Sequence, residues 1–162
     1  MPGGLVMTGL LCASSLALSL ALLPDAFVGV LLLYEDERIQ HAGAILGLGG
    51  VAAHSHRLCP STSPGYANQV VTINNYLSVA ATCLMCRRAV FAEAGRFEEQ
   101  LPGDYEDLDL CLKLIERGYR NVYLPHVRLY HYESVSRGKD YVERDPAQRT
   151  HAAGFIQHKW RK

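Results

Sequence analysis

Apolar positions along the chain gather into blocks separated by short polar clusters. Residues 1–24 carry no charged side chain, and 5–23 are apolar apart from small residues such as Thr8, Ser14, Ser15 and Ser19. A membrane span needs about 20 apolar residues, so this block sits at the lower limit. A secretory signal would place Lys or Arg ahead of it, yet the first basic residue is Arg38. Two readings stay open, a membrane helix or an atypical start ahead of a domain that begins near Val28. Residues 28–34 (V-G-V-L-L-L-Y) are an unbroken apolar run before the charged turn Glu35-Asp36-Glu37-Arg38. That pattern predicts a strand buried on both faces, within a parallel or mixed sheet covered by helices.

Small residues and glycine then crowd positions 41–50, and Pro60 and Pro64 follow. Residues from about 47 to 69 therefore read as a long irregular loop, a length that usually marks function or mobility. Residues 76–86 are again apolar and β-compatible. Over 87–94 the spacing turns helical, with Val90, Phe91 and Ala94 on one side and Gly95 as C-cap. The clearest element follows: Leu108, Cys111, Leu112 and Ile115 recur at i, i+3, i+4 and i+7, one buried helical face. Arg117 and Gly118 close that helix, and 121–124 predict a short strand stopped by Pro125. Strand, helix and strand on short links make an α/β pattern.

Composition adds limits to this picture. The 162 residues suit one domain. Apolar residues at 49% and charged residues at 20% support a packed core and exclude compositional disorder. Sixteen Lys and Arg balance sixteen Asp and Glu, so the basic excess of a general nucleic-acid binder is missing. Five irregularly spaced cysteines form no disulfide framework and fit a reducing, cytoplasmic compartment.

Chemistry concentrates around Glu106, Asp107 and Asp109. Acids in a first helical turn are stabilised by the helix dipole, and capping alone accounts for them. Preceded by Leu101-Pro102-Gly103-Asp104-Tyr105, the same cluster can set one carboxylate at the mouth of a sheet, where ligands bind in open α/β folds. There it would serve as general base for a hydroxyl within hydrogen-bond reach.

Residues 81–118 (A-T-C-L-M-C-R-R-A-V-F-A-E-A-G-R-F-E-E-Q-L-P-G-D-Y-E-D-L-D-L-C-L-K-L-I-E-R-G) resemble the second half of the catalytic domain of family-two, GT-A-fold glycosyltransferases. Residues 34–43 (Y-E-D-E-R-I-Q-H-A-G) and 130–138 (Y-H-Y-E-S-V-S-R-G) are similar to the rhamnosyl and O-antigen members. The resemblance implies an α/β, partial GT-A fold, a mixed sheet with flanking helices, and inverting transfer from a nucleotide-diphospho-sugar to a saccharide or lipid-linked acceptor. It implies Asp107 as catalytic base and Glu106 and Asp109 as acceptor-binding or capping residues. His131 would attend a divalent metal, Mn²⁺ or Mg²⁺, and the diphosphate, while Arg137 would clamp a phosphate.

This sequence also departs from the family pattern. Gly95-Arg96-Phe97-Glu98-Glu99 stands for Gly-Gly-Phe-Asp-Glu, and Ala81-Thr82 for Gly-Ala. Ahead of Tyr34 there is no Asp-x-Asp, and Asp107-Leu108-Asp109 has that spacing on the acceptor-side helix. The expected organisation is thus an apolar segment (1–24), an acceptor-side half (25–140) and a basic, helical tail (141–162), with the donor-binding half missing or supplied by a second chain. A strand at 28–34 without that half would expose an apolar edge, covered by residues 5–23 or driving self-association. The rival classes are a catalytically inactive remnant or partner-binding module of the same fold, and a small membrane-tethered protein.

Two constellations carry less weight. Cys83-Leu84-Met85-Cys86 lies in an apolar stretch where residues three apart on a strand face opposite sides, so the thiols would not converge on zinc. His41, His54 and His56 read as bordering the acceptor cleft or as exposed. From Arg120 onward nine Lys or Arg meet four acids, ending in Lys159-Trp160-Arg161-Lys162. Such a tail is either a solvated helix or a contact to anionic lipid or a lipid-linked acceptor at the inner membrane face.

Overall fold

The structure, a computed structural model, describes residues 26–101, 103–132 and 146–160. In chain order these form β1 (Ala26–Leu33), β2 (Ile39–His41), β3 (Ala44–Leu46), β4 (Ala52–His54), β5 (Asn74–Tyr76), β6 (Leu84–Met85), α1 (Arg88–Glu93), α2 (Glu106–Glu116), β7 (Arg120–Tyr130) and α3 (Pro146–Trp160). The mixed α/β architecture expected from the pattern is present. The apolar segment 5–23 and Arg137 lie outside the described residues.

The apolar run predicted as a doubly buried strand is β1, the centre of a mixed sheet. It pairs in parallel with β7 on one edge. On the other edge β6 pairs antiparallel with its first half and β2 with its second. β5 adds to β7 antiparallel. Alternation splits β1 between two cores. Val28, Val30 and Leu32 pack with Val122, Leu124, Val127 and Leu129. Leu31 and Leu33 face Ile39, Val70, Val79, Cys111 and Tyr123. Partners stand on both edges of β1, so the exposed apolar edge expected there is absent.

Three other expectations need correction. β7 does not stop at Pro125 but continues to Tyr130. The register with β1 jumps from Val30–Leu124 to Leu31–Arg128. Pro125 therefore sits in a bulge, where its missing N–H breaks no ladder. The loop expected over 47–69 begins inside a hairpin, because β3 and β4 pair from Ala44–His54 to Leu46–Ala52. Only three residues on each side pair, too few to leave an alternation signal. Residues 76–86 are strand only at Tyr76 and at Leu84–Met85. Between them the backbone bonds to side chains, apart from one isolated bridge between Ser78 and Ala44.

The helices follow the spacing more closely. α1 buries Val90 and is followed by Ala94, also buried, and Gly95 at φ +85°. α2 buries Leu108, Cys111 and Leu112 as the period requires, and also Leu110 and Leu114, which meet Phe27, Val90 and Ala94. It is thus covered on two sides, by the sheet and α1 on one and by α3 on the other. α3 buries Ala152 and Ile156 against Leu108, Leu112 and Leu101. The described part of the basic tail, residues 146–160, is therefore packed against the domain. None of the helices among the described residues is long and apolar enough to cross a membrane.

Gly29 sets how closely the segment before β6 approaches β1. A Cβ at this position would lie 2.5 Å from Val79 Cβ, in the fully buried core. Gly29→Ala should therefore destabilise the chain by about 1–3 kcal/mol, a cost typical of overpacking. Val79→Gly, which removes that Cβ, should couple to it, the double variant costing less in urea denaturation than the two single losses together.

Candidate functional site

The site builds outward from residues 77–81, a small-residue stretch between β5 and β6. Each residue in it is held by a different partner, and the five partners come from four elements. Asn121 Nδ2 donates to the Leu77 carbonyl (3.0 Å), and the Ala44 N–H donates to the Ser78 carbonyl (3.0 Å). The Cys111 thiol donates to the Val79 carbonyl at 3.7 Å. The Ala80 N–H donates to His41 Nε2 (3.1 Å), and the Ala81 N–H to Asp107 Oδ2 (3.2 Å). Asp107 and Cys111 are one helical turn apart, so α2 grips the stretch with a single face.

Asp107 also accepts from the Leu108 N–H through Oδ1 (2.8 Å) and is half-buried at the start of α2. Both oxygens thus face backbone donors, and capping and positioning are served together. Glu106 beside it is likewise half-buried. Burial pushes the Cys111 thiol up to about 12, with the Asp107 carboxylate adding in the same direction, so it remains a protonated donor.

Asp109, two residues on, points elsewhere and is fully buried. Its carboxylate meets Lys113 Nζ (2.8 Å), Lys159 Nζ (2.8 Å) and the Trp160 indole N–H (2.9 Å). Glu98 completes the group, 3.3 Å from Lys159 and 3.9 Å from Lys113. Two carboxylates balance two ammoniums. Burial alone would raise the Asp109 pKa, but hydrogen bonds from Lys113, Lys159 and Trp160 hold it below the ordinary carboxylate value. Of the three first-turn acids, Asp109 fixes α3 to α2 and is turned away from solvent.

The histidines, read as bordering a cleft or as exposed, differ from one another in burial. His41 is buried, His56 is half-buried, and His54 is exposed. Ser55 Oγ is 2.7 Å from His56 Nδ1, whose ring also accepts from the Tyr66 N–H through Nε2 (3.3 Å). His41 Nδ1 lies 2.6 Å from His54 Nδ1. Because His41 Nε2 accepts from Ala80, its proton must sit on Nδ1 and point at His54. Burial first, and the neighbouring His54 second, hold His41 well below the usual histidine range.

A second locus lies at the carboxyl ends of the parallel strands β1 and β7, the edge where open α/β sheets bind ligands. An open cleft of about 680 Å³ there is lined by Tyr34, Glu35, Asp36, Arg38, Leu58, His131 and Tyr132. Arg38 pairs with Asp36 at 2.6 Å and holds its carboxyl below the usual range. Arg57 stacks over Tyr34 and donates to its hydroxyl. His131 is oriented by Gln40, whose amide donates to the His131 carbonyl (3.2 Å) while its oxygen takes the Nδ1 proton (2.7 Å). Sequence reasoning singled out neither Gln40 nor Asn121 and gave His41 no partner, because their contacts lie 39 to 91 positions away.

No family model matches the chain. Over 135 residues, 83% of its length, it is 42% identical to the uncharacterized protein y4gI of Sinorhizobium fredii and spans 15% of that protein. The O-antigen biosynthesis protein RfbC of Myxococcus xanthus is 36% identical over 119 residues, 71% of the chain and 9% of RfbC. The N-acetylglucosaminyl-diphospho-decaprenol L-rhamnosyltransferase of Mycobacterium tuberculosis is 34% identical over 62 residues, 38% of the chain and 20% of that enzyme. The chain thus spans 9–20% of the length of these relatives.

Two outcomes follow from the buried groups. Unfolded His41 takes up a proton near pH 6.5 and folded His41 resists it, so its stability contribution is complete above that pH and declines below. Stability in urea should fall by about 1 kcal/mol between pH 6.5 and 5.5, and His41→Gln should flatten that part of the slope. Asp109→Asn should cost about 2–3 kcal/mol by stripping the charge from bonds to two lysines. Faster proteolysis at α3 than at β1 would accompany it.

Proposed function

We propose that the chain forms the acceptor-side portion of an inverting, family-two glycosyltransferase of the GT-A fold. It would act on a nucleotide-diphospho-sugar donor and a saccharide or lipid-linked acceptor. The observation that carries this reading is the joint one: 36% identity to an O-antigen biosynthesis protein over 71% of the chain, with Asp107 held at the start of α2 by the Ala81 amide. In this reading Asp107 takes the proton of the acceptor hydroxyl as that oxygen attacks the anomeric carbon and the diphosphate leaves. A carboxylate is a weak base in water and becomes useful when position supplies most of the advantage. Glu106, beside it, orients the acceptor. Asp109 holds α2 in place through α3 rather than touching substrate.

His131 fits one position on a divalent metal. Gln40 takes its Nδ1 proton, which leaves Nε2 as the lone-pair nitrogen and supplies the outer hydrogen bond that metal-bound imidazoles use. Among the described residues no three His, Cys, Asp or Glu side chains group to hold an ion. In this reading His131 would share the metal with phosphate oxygens, and bound Mn²⁺ or Mg²⁺ would stabilise charge on the leaving diphosphate. Arg137, close in sequence, would clamp the same phosphates. The donor-binding portion would come from other sequence, in this polypeptide or a second chain, working at the inner face of the membrane.

A specific observation favours the second reading, a non-catalytic module of the same fold. Asp107-Leu108-Asp109 is the only Asp-x-Asp in the sequence, and burial of Asp109 keeps that pair from chelating one ion. Transfer from UDP- and dTDP-sugars with Mn²⁺, by the chain alone and with a separately expressed donor-binding portion, separates the two. Asp107→Asn should lower transfer by about 10²–10⁴-fold, far beyond the stability cost of about 1–2 kcal/mol expected from replacing one of two accepting oxygens by an amide nitrogen. His131→Ala should raise the Mn²⁺ requirement. Normal transfer by Asp107→Asn beside a dead Glu106→Gln protein would sink the base assignment, and absence of both binding and transfer would establish the module.

A further inference from the structure

Asp107 does not hold its place unaided. Its Oδ2 meets the amide of Ala81, and the amide immediately before it is fixed by His41 Nε2. A peptide plane has two soft neighbours, so an anchor on one amide limits the direction of the next. His41 comes from β2, a different element from the α2 that carries Asp107, and is itself held by burial and by His54. Only the tautomer with its proton on Nδ1 can serve, because Nε2 must accept.

We propose that His41 is a positioning residue for Asp107, acting through the consecutive amides of Ala80 and Ala81. It does not touch substrate. With Nε2 in place, the Ala80 N–H is satisfied inside the core and the Ala81 N–H is aimed at the carboxylate. Without it, the buried Ala80 amide must seek another acceptor, and the turn that presents Ala81 rotates with it. His54, whose Nδ1 takes the other proton, selects the working tautomer. The functional meaning of this arrangement rests on the base role given to Asp107 above, whereas its geometry does not.

Amide hydrogen exchange of Ala81 in the full chain, followed by nuclear magnetic resonance, tests it as a double-mutant cycle. Exchange at Ala81 is referred to the Leu110 and Val122 amides, which report global opening. In the native background Asp107→Asn should speed Ala81 exchange about tenfold by removing the charge from its acceptor. With His41→Ala the same change should have an effect below about twofold, because the bond is already lost. His41→Gln, long enough to present an oxygen to Ala80, should restore the Asp107 response. His41→Asn, which stops short of Ala80, should not. If His41→Ala does not fold, the contrast between Gln and Asn decides the matter. An Asp107→Asn effect of equal size in every background overturns the proposal. A coupled cycle in a chain whose Asp107→Asn variant still transfers sugar normally would retain the positioning and remove the base role.

Discussion

The structure depends on a short segment held by five residues from four elements. Residues 77–81 are pinned by Asn121, Ala44, Cys111, His41 and Asp107, which come from β7, β3, α2, β2 and α2 again. The segment cannot join a ladder over this length, so its polar groups must find partners elsewhere or be buried unsatisfied. Gly29 and the small side chains of Ser78, Ala80 and Ala81 permit the close approach that brings these partners within reach. Sheet, hairpin and α2 are thereby locked together at one place. That place carries the Asp107 carboxylate.

A second lock works by charge. Asp109 brings a carboxylate into a fully buried setting, where desolvation alone would favour its neutral form. Lys113, Lys159 and Trp160 reverse that preference, and Glu98 balances the second ammonium. Such a group adds little net stability compared with an apolar replacement, because the desolvation of four ions offsets much of their attraction. Its strength is in geometry. A hydrophobic contact between α2 and α3 tolerates sliding, whereas an indole N–H and two ammoniums converging on one carboxylate do not. The register of α3 is consequently fixed relative to the helix that presents Asp107.

These two locks explain which parts of the fold were legible in the sequence. The 3.6-residue period of Leu108, Cys111, Leu112 and Ile115 and the unbroken run of β1 are local signals of burial, and both elements formed as read. Pro125 signalled an end to β7 by its missing N–H, but a bulge absorbs that defect and the strand resumes. Residues 76–86 looked β-compatible because they are apolar, yet only Tyr76 and Leu84–Met85 are strand, and side chains distant in sequence bond the backbone of Leu77, Val79, Ala80 and Ala81. Asp107 and Asp109 looked alike as first-turn acids. The 100° step of a helix turns the two side chains about 200° apart, so one meets the Ala81 amide and the other the α3 lysines. The identity of what lies opposite each face decides their roles, and that is a tertiary fact.

β2 ties the two loci to each other. Successive side chains of a strand leave on opposite faces, and Gln40 and His41 use both. Gln40 grips His131 through ring and carbonyl, at the carboxyl end of β7. His41 grips Ala80, one peptide from the partner of Asp107. β2 is itself bonded to the second half of β1, with Leu32 opposite His41 and Leu33 opposite Ile39. The His131 N–H donates to the carbonyl of the same Leu33. The imidazole assigned to the diphosphate side and the carboxylate assigned to the acceptor side are therefore referenced to one three-residue strand on the central strand of the sheet. Both side chains are thus fixed from one rigid element with few intervening torsions.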